Sequence, residues 1–576
     1  MDRDRIDIGG VRLRPRQGTL EGPSGSIRLE PRVVELALSL VERAGVVISR
    51  QYLVETVWGG YPGGDRALTT CVSKLRSALK AAGASPDVVE TFPKRGYLIR
   101  GDAVNRIPST SDRRECIAVL PFRILGLSPD QAYLGEALAE ELQNGLGTLR
   151  DIRVAARTST AALAEQMRPL PDYARQLGAR MVLEGSIRAV GNQLTVRLAL
   201  CSASDSQQLW TRDFELPAHQ IDRLAPDMVR AVAGQLRRQF DIELPRIEAE
   251  SATTIPATAY QAFLKGRYYW YRDNSNPGHA LEFYRNAINE APDYASPHAG
   301  LVDCYCTYGA WQVMPQADAR RLALQNARRA IALDPGSCNV RFSEGYAQMY
   351  ANWNWLAAEA AFRHVLRRRP DHILANSFLA LLLTIHGRDR EATELGDHLV
   401  AMDPISSWCW WIRGLCAFYR RDFETAAASA LEALDLLPDD PLHLWLGSAS
   451  MVMCNDCARG LALNDTLIEI AGDSDMFFAS SIILRFVCGQ TDEALTRLAK
   501  LRRRALKGPV SPIAMCLVHS ALGDTEAALD AWQAAYDERN MGCWIPACDS
   551  LTDPLRAGPR FRRIVDGMNL PLPVRS

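Results

Sequence analysis

The side chains best suited to contact another molecule are concentrated in residues 65–82. At about 100° per residue, a helix over this stretch has an apolar face formed by Leu68, Val72, Leu75 and Leu79. The opposite face, with its edges, has basic and hydroxyl side chains and no carboxylate: Arg66, Thr69, Thr70, Ser73, Lys74 and Arg76. Solvated helix faces usually mix both charges, whereas Arg, Lys, Ser and Thr donate hydrogen bonds to phosphates and base edges. Taken alone, the stretch fits a DNA-contacting helix and a solvated helix about equally well.

The flanking residues predict the elements that would position this helix. Pro31 begins a first helix, and a second helix runs from Arg50 to Val57. Residues 88–99 read as a β-hairpin with Lys94 and Arg95 at its turn. Three helices followed by a basic hairpin predict a winged helix. Short strands are expected before the helices, at Ile6–Ile8, Val11–Leu13, Thr19–Leu20 and Ile27–Leu29.

Five segments of residues 1–102 carry a further pattern: Leu29–Leu36, Ser49–Leu53, Val57–Gly59, Arg66–Arg76 and Glu90–Tyr97. Their order resembles the OmpR-type winged-helix DNA-binding domain. The resemblance implies that residues 65–82 enter a DNA major groove and that the hairpin reaches an adjacent backbone or minor groove. It also implies that the loop 58–64 contacts RNA polymerase. Cys71 and Ser73 occupy positions where several relatives have His or Arg, so the base preference does not carry over.

The helix face and the resemblance together assign DNA contacts to eight residues. They are Arg66, Thr69, Thr70, Ser73, Lys74, Arg76, Lys94 and Arg95. Other interpretations stay open, because Arg66 and Arg76 also suit surface salt bridges and Ser73 also suits close approach of the helix. Lys94 and Arg95 are expected to contact phosphates, which carry little sequence information.

Length and composition limit the other classes of function. The 576 residues, 47% hydrophobic and 23% charged, predict a globular protein of three or four domains. The net charge is −1, but residues 1–102 hold 16 basic and 12 acidic side chains, so a basic excess surrounds the predicted DNA-binding helix. We expect a cytoplasmic protein, because the start is charged and no run of about 18 apolar residues is present.

The 14 cysteines show no disulfide-like spacing. This scatter is typical of proteins in a reducing compartment. Cys454 and Cys457 form a lone CxxC without a second pair or a nearby histidine, so we expect them to serve helix packing more than redox chemistry or metal binding.

The middle of the chain alternates strand and helix patterns. Residues 103–115 are polar and contain a proline, which predicts a linker, and residues 116–245 predict a mixed α/β domain. Four segments carry a resemblance to the α/β domain of TolB and FlgO, which is similar to segments of some nucleotidyl cyclases. They are Ile117–Phe122, Val154–Ser159, Val182–Arg188 and Leu209–Trp210.

Residues 116–245 give little sign of catalysis. Neither a P-loop nor a dinucleotide fingerprint is present, and no nucleophile–base arrangement is recognisable. Glu140 and Glu141 lie within a predicted helix and are expected on a solvated face. The stretch 157–159 fits an anion site and a helix cap equally well. We therefore predict no catalytic residue, no metal site and no cofactor.

Residues 257–570 contain a helical repeat. Small or apolar residues lie 12, 8 and 5 positions before each of its unit-ending prolines, which are Pro292, Pro335, Pro370, Pro404 and Pro438. Small residues let paired helices approach, and proline ends the second helix. The pattern resembles the tetratricopeptide repeat, which implies an all-α solenoid of seven or eight units with a groove for a peptide or protein. Groove candidates are Asn376, Trp410 and Arg413, although aromatic residues at helical spacing more often belong to the core.

The three parts predict a cytoplasmic bacterial transcription regulator. The fold class is multidomain: a winged helix (1–102), a mixed α/β domain (116–245) and an all-α tetratricopeptide-repeat solenoid (257–570). This order resembles the HilA-type regulators, which implies double-stranded DNA and RNA polymerase as partners and repeats that sense a protein or small-molecule signal. A homodimer on DNA is compatible with it. Two other interpretations stay open: a repeat adaptor protein with secondary DNA binding, and an enzyme related to cyclases.

Overall fold

The computed structural model describes the chain in stretches separated by gaps. They are residues 6–9, 11–14, 18–22, 25–42, 47–58, 64–84, 88–93, 95–100, 104–106, 115–128, 131–149, 152–157, 159–160, 171, 177–240, 255–272, 277–508 and 510–571. The chain divides into two compact units, Met1–Arg113 and Arg114–Ser576, and each has its own hydrophobic core.

The first unit combines a small sheet, three helices and a hairpin. Its elements are β1 (Ile6–Ile8), β2 (Val11–Arg14), β3 (Thr19–Gly22), β4 (Gly25–Arg28), α1 (Pro31–Glu42), α2 (Arg50–Trp58), α3 (Gly64–Ala82), β5 (Val89–Phe92), β6 (Gly96–Ile99) and β7 (Val104–Arg106). The antiparallel sheet has the order β4-β3-β2-β1-β7. The prediction of a linker over 103–115 was wrong for Val104–Arg106. These three residues form β7, which pairs with the open edge of β1.

The three helices bury their apolar faces together with the sheet. Leu36, Leu53, Leu68 and Leu75 are fully buried in one cluster. β5 and β6 form the predicted hairpin, called the wing from here on. Gly96 begins β6 at a φ of +143°, and a Cβ there would lie 1.8 Å from the carbonyl oxygen of Ile48, so only glycine fits. The predicted winged helix is confirmed.

The second unit opens with a mixed sheet and two helices. Its elements are β8 (Glu115–Val119), β9 (Arg123–Leu125), α4 (Tyr133–Leu146), β10 (Ile152–Val154), β11 (Met181–Val190), β12 (Gln193–Ser202), β13 (Gln208–Pro217) and α5 (Leu224–Phe240). The sheet order is β10-β8-β11-β12-β13, with β9 also paired to β11. β8, β10 and β11 are parallel and β11 to β13 antiparallel, which confirms the mixed α/β prediction. Alternate side chains of β12, namely Leu194, Val196, Leu198 and Leu200, belong to the same buried cluster as apolar residues of α4 and α5.

Antiparallel helix pairs follow and form the predicted all-α solenoid. The pairs are α6 (Ala257–Arg272) with α7 (Pro277–Glu290), α8 (Ala295–Ala310) with α9 (Gln316–Leu333), α10 (Cys338–Tyr350) with α11 (Trp355–Arg368), α12 (Ile373–Ile385) with α13 (Asp389–Met402), α14 (Ser407–Tyr419) with α15 (Phe423–Leu436), α16 (Pro441–Met453) with α17 (Cys457–Ala471), α18 (Asp475–Val487) with α19 (Thr491–Ala505), and α20 (Pro512–Ala521) with α21 (Thr525–Asp537). Two short helices, α22 (Ile545–Cys548) and α23 (Pro559–Gly567), close the array. A Cβ on Gly345 would lie 2.8 Å from the ring of Phe362, which shows why small residues recur at these helix contacts. Within the described stretches, no helix has the length and apolarity to cross a bilayer.

The α/β domain and the solenoid are joined by buried polar contacts. Arg267 of α6 donates to the carboxylates of Glu140 and Glu141 on α4, and the Arg267 side chain is only 10% exposed. Burial raises the pKa of Glu141, which Arg267 opposes. The expectation that these two glutamates lie on a solvated face was therefore wrong, because α6 covers that side of α4. Further along, Ser159 donates to the buried Asp403 between α13 and α14.

One cysteine pair departs from the expectation of reduced thiols. Cys457 at the start of α17 forms a disulfide with Cys488, which follows α18. Neighbouring helix pairs of the solenoid bring these residues together although they are 31 positions apart in the chain. The expectation that Cys457 serves helix packing in the CxxC was therefore wrong, and Cys454 remains a free thiol.

Candidate DNA-binding surface

The two faces of α3 lie as its periodicity predicts. Leu68, Val72, Leu75 and Leu79 are at most 2% exposed and belong to the core of the first unit. Packing of this face fixes which side chains of α3 point to solvent. Of the predicted DNA contacts on α3, the exposed ones are Arg66, Thr69, Thr70, Ser73 and Lys74.

Arg66 and Ser73 present unengaged side chains on α3. Within the part of the chain that the structure describes, neither side chain has a hydrogen-bond or ion-pair partner. Arg95 at the turn of the wing is also exposed, and its side chain has no hydrogen-bond or ion-pair partner among the described residues, whereas its backbone N–H donates to the carbonyl oxygen of Phe92 at 3.0 Å. These three side chains can form new hydrogen bonds to a ligand without first breaking internal ones.

Arg76 is engaged with the wing instead of solvent. Its Nε and Nη2 donate to the carbonyl oxygen of Val89 at 2.9 and 2.7 Å, and Nη2 also donates to Thr91 Oγ1 at 2.8 Å. The side chain is half-buried. Arg76 therefore fastens β5 to α3, so it positions the wing in the free protein instead of offering a free guanidinium to DNA.

Lys74 forms an ion pair that the helix alone does not reveal. Its Nζ lies 2.6 Å from Glu30 Oε1, and the two side chains are 49% and 64% exposed. Glu30 precedes α1, so the donor face of α3 does have a carboxylate beside it, supplied by another element. Because the pair is exposed, solvent screens it and it contributes little to stability, so Lys74 is available to exchange its partner.

Arg50 is the residue of this surface that sequence reasoning missed. Its guanidinium donates to Thr69 Oγ1 of α3 at 2.8 Å and to the Tyr97 hydroxyl of the wing at 2.6 Å. It also lies 5.3 Å from the centroid of the Tyr97 ring. The signal was its place at the first position of α2, directly after Ser49. Arg50 joins α2, α3 and the wing through one side chain.

The remaining predicted contacts are placed as follows. Thr70 Oγ1 donates to the backbone oxygen of Arg66 at 3.1 Å, so its hydroxyl can still accept a hydrogen bond. Lys94 lies outside the described residues, as do residues 59–63 of the loop expected to contact RNA polymerase. Cys71 is 5% exposed, and burial raises the pKa of its thiol to about 11. This cysteine therefore packs in the core and is not a reactive group at the surface.

The predicted groove residues of the solenoid are only partly brought together. Asn376 is 2% exposed and donates to the carbonyl oxygens of Pro370 and His372, so it shapes its own turn and the prediction of a groove role is wrong for it. Trp410 and Arg413 line a cavity of about 310 Å³ between α13, α14 and α15. Arg413 there bonds Asp397 at 2.8 Å.

Comparison with known proteins agrees with this geometry. Residues 24–99, which include α1 to α3 and the wing, match the family described as "Transcriptional regulatory protein, C terminal". The chain is also similar to "Transcriptional regulator HilA" of Salmonella typhimurium (strain LT2), at 21% identity over 535 residues. That similarity covers 91% of this chain and 93% of HilA.

Two further similarities are confined to parts of the chain. The "Transcriptional activator CadC" of Escherichia coli (strain K12) is 30% identical over 100 residues, which cover 17% of this chain and 20% of CadC. The protein named "Putative adenylate cyclase 3" of Rhizobium meliloti (strain 1021) is 24% identical over 195 residues. The match covers 34% of this chain and only 33% of that protein, whereas the similarity that extends over nearly the whole chain is to a regulator of transcription.

Proposed function

We propose that this chain, a transcriptional regulator with an OmpR-type winged-helix domain, reads promoter DNA with the exposed face of α3. The observation that supports this most is the pair of unengaged donors on that face, Arg66 and Ser73. A helix of this size fits the major groove. There, Arg hydrogen-bonds the edge of guanine, and Ser hydrogen-bonds the edges of more than one kind of base. Arg95 of the wing would contact a phosphate.

The other donors divide into contacts and supports. Lys74 would leave Glu30 for a phosphate when DNA arrives, because an exposed ion pair is easily exchanged. Thr69 would accept or donate at the groove while Arg50 holds its hydroxyl. Arg76 would act indirectly, by keeping the wing at the correct distance from α3.

The second unit is proposed to receive the signal. The similarity to HilA extends over this unit as well as the winged helix, and solenoids of helical pairs commonly bind protein segments. Trp410 and Arg413 would line one contact site, in the cavity between α13 and α15. RNA polymerase as a partner, a homodimer on DNA, a cytoplasmic location and the absence of enzymatic activity are parts of the same proposal.

The full-length chain should select a defined set of duplexes from a random DNA pool, and its affinity for them is measured by fluorescence anisotropy. Arg66→Ala should weaken specific binding about 5- to 150-fold, because one arginine–base contact contributes roughly 1–3 kcal/mol. Arg95→Ala should lower the slope of affinity against salt concentration by about one. Arg28→Ala, which removes an exposed charge on β4, is the matched control.

Two results would contradict the proposal. One is a chain that enriches no sequence from the pool, and the other is an Arg66→Ala variant that binds as tightly as the Arg28→Ala control. The loss of one positive charge lowers the DNA affinity of both variants equally. Only the difference in affinity between Arg66→Ala and Arg28→Ala therefore reports a contact made by α3.

A further inference from the structure

The outer side of α15 is acidic and partly apolar. Residues 423–440 contain five acidic side chains and no basic one. Leu431, Leu436 and Leu437 are exposed there, by 42%, 41% and 48%. Four acidic residues are exposed and have no ion-pair partner within the described part of the chain: Glu424, Glu432, Asp435 and Asp439.

The outer side of α19 has the opposite charge. Residues 491–507 contain six basic side chains and two acidic ones. Arg497 forms an ion pair with Glu493, and Arg504 donates to the carbonyl oxygen of Gly472. Leu495 and Leu506 are exposed, Leu506 by 87%. The exposed cations without an ion-pair partner among the described residues are Lys500, Arg502, Arg503 and Lys507.

The two helices occupy the same position in different repeats. Each is the second helix of its pair, and the same three positions of each are buried: Ala426, Ala430 and Ala433 in α15, and Ala494, Leu498 and Leu501 in α19. Counted from these residues, three acids on or just after α15 have a cation at the equivalent position on or just after α19, whereas Glu424 has the acid Asp492 as its equivalent. The equivalent pairs are Glu432 with Lys500, Asp435 with Arg503, and Asp439 with Lys507.

The helix between them presents both short and charged side chains on its outer side. α17 is the second helix of the intervening pair, and Asn464 and Leu467 occupy its buried positions. Its exposed residues include Ala458 and Ala462, together with Arg459, Asp465 and Glu469. The two short side chains leave room for another helix at their turn.

We propose that a second copy of this chain docks on the face formed by α15, α17 and α19, called the charge-reversed face. A two-fold axis along α17 places α15 of each copy against α19 of the other and keeps equivalent positions at the same height. Each acid of the three equivalent pairs then faces its cation, and Glu424 faces Asp492 at the start of the helices. One patch thus contacts itself, as an isologous two-fold dimer requires. A two-fold axis perpendicular to the helices would instead set like charges against each other.

The chemistry of this face sets the strength of the dimer. Exposed ion pairs contribute little to affinity, because water and salt screen them, so the charges determine the register and the partner more than the affinity. Burial of the exposed leucines supplies the remainder. The dimer should therefore weaken as salt screens the charges without disappearing completely.

The experiment is analytical ultracentrifugation of the full-length chain without DNA, so it is independent of the DNA-binding proposal. The wild type should dimerise. Glu432→Lys/Asp435→Lys and Lys500→Glu/Arg503→Glu should each weaken the dimer about 100-fold, because each reversal sets like charges of α15 and α19 against each other, and such repulsion costs more than a lost exposed ion pair. An equimolar mixture of the two variants should dimerise again, since every contact between the different chains is complementary. Glu282→Lys/Glu538→Lys changes the net charge equally at exposed positions elsewhere and should dimerise like the wild type.

Each other outcome overturns the inference. A wild-type chain that stays monomeric over the accessible concentrations removes the second copy as the occupant. A dimer that resists both reversals uses another surface. A mixture that stays monomeric, while circular dichroism shows both variants folded, excludes the proposed pairing of α15 with α19.

Discussion

Arg76→Ala is expected to loosen the wing, and its effect on DNA binding should follow from that. The substitution removes three hydrogen bonds, two to the carbonyl oxygen of Val89 and one to Thr91. Hydrogen bonds from charged groups contribute about 1.5–3 kcal/mol when buried. Because Arg76 is only half-buried, we assign about 1 kcal/mol to each of its hydrogen bonds. The attachment of the wing to α3 then contributes about 2–3 kcal/mol.

Hydrogen exchange of the full-length protein, followed by mass spectrometry, measures this attachment directly. Amides of β5 and β6 should exchange about 30- to 150-fold faster in Arg76→Ala, since 1.4 kcal/mol corresponds to a factor of ten. In Arg76→Lys, the exchange rate of these amides should lie between those of the wild type and Arg76→Ala, because a single ammonium cannot reproduce the planar fork of the guanidinium. Arg66→Ala should exchange like the wild type. Unchanged exchange in Arg76→Ala together with lost DNA binding would refute the positioning role and make Arg76 a direct contact.

Two further predictions concern the junction inside the second unit. Arg267→Ala leaves Glu140 and Glu141 buried without a counter-charge and should lower the free energy of unfolding of this unit by about 3–5 kcal/mol in urea denaturation; a loss below about 1 kcal/mol would mean that the pair is solvated. Burial raises the pKa of Asp403 from 3.8 to about 6, so its carboxylate is disfavoured in the folded state and stability falls as the pH rises through this interval. The unfolding free energy of the wild type relative to Asp403→Asn should therefore fall by about 1.4 kcal/mol between pH 5.0 and 7.5, and an unchanged difference would contradict the buried carboxylate.

The face of α3 was predictable because it depends on spacing alone. A period of 3.6 residues places Leu68 and Leu75 inward and Arg66 and Ser73 outward, wherever the rest of the chain lies. The partners of the outward residues were not predictable in the same way. Glu30 reaches Lys74 from an element far away in sequence. Arg76 bonds a backbone carbonyl oxygen, which no side-chain pattern records.

The second unit shows the same limit more strongly. The period of the repeat predicted the helix pairs, because each pair contacts mainly its neighbours. Contacts between the α/β domain and the solenoid join residues more than 100 positions apart, as in Arg267 with Glu140. A pair of glutamates in the middle of an amphipathic helix reads as solvated until the covering element is known. The same distance in sequence concealed the disulfide of Cys457 with Cys488.

The junction also constrains how the second unit can respond to a partner. Ile405 of the solenoid packs against an apolar cluster of the α/β domain, which includes Ala118 of β8 and Val182 of β11. Separating the two parts would expose this cluster and would also leave Arg267 and Asp403 without their partners across the junction. Movement of the α/β domain away from the solenoid therefore costs free energy, because it breaks buried ionic and polar contacts. A ligand of the solenoid binds a body that already contains the α/β domain, so any signal it carries must act on the unit as a whole.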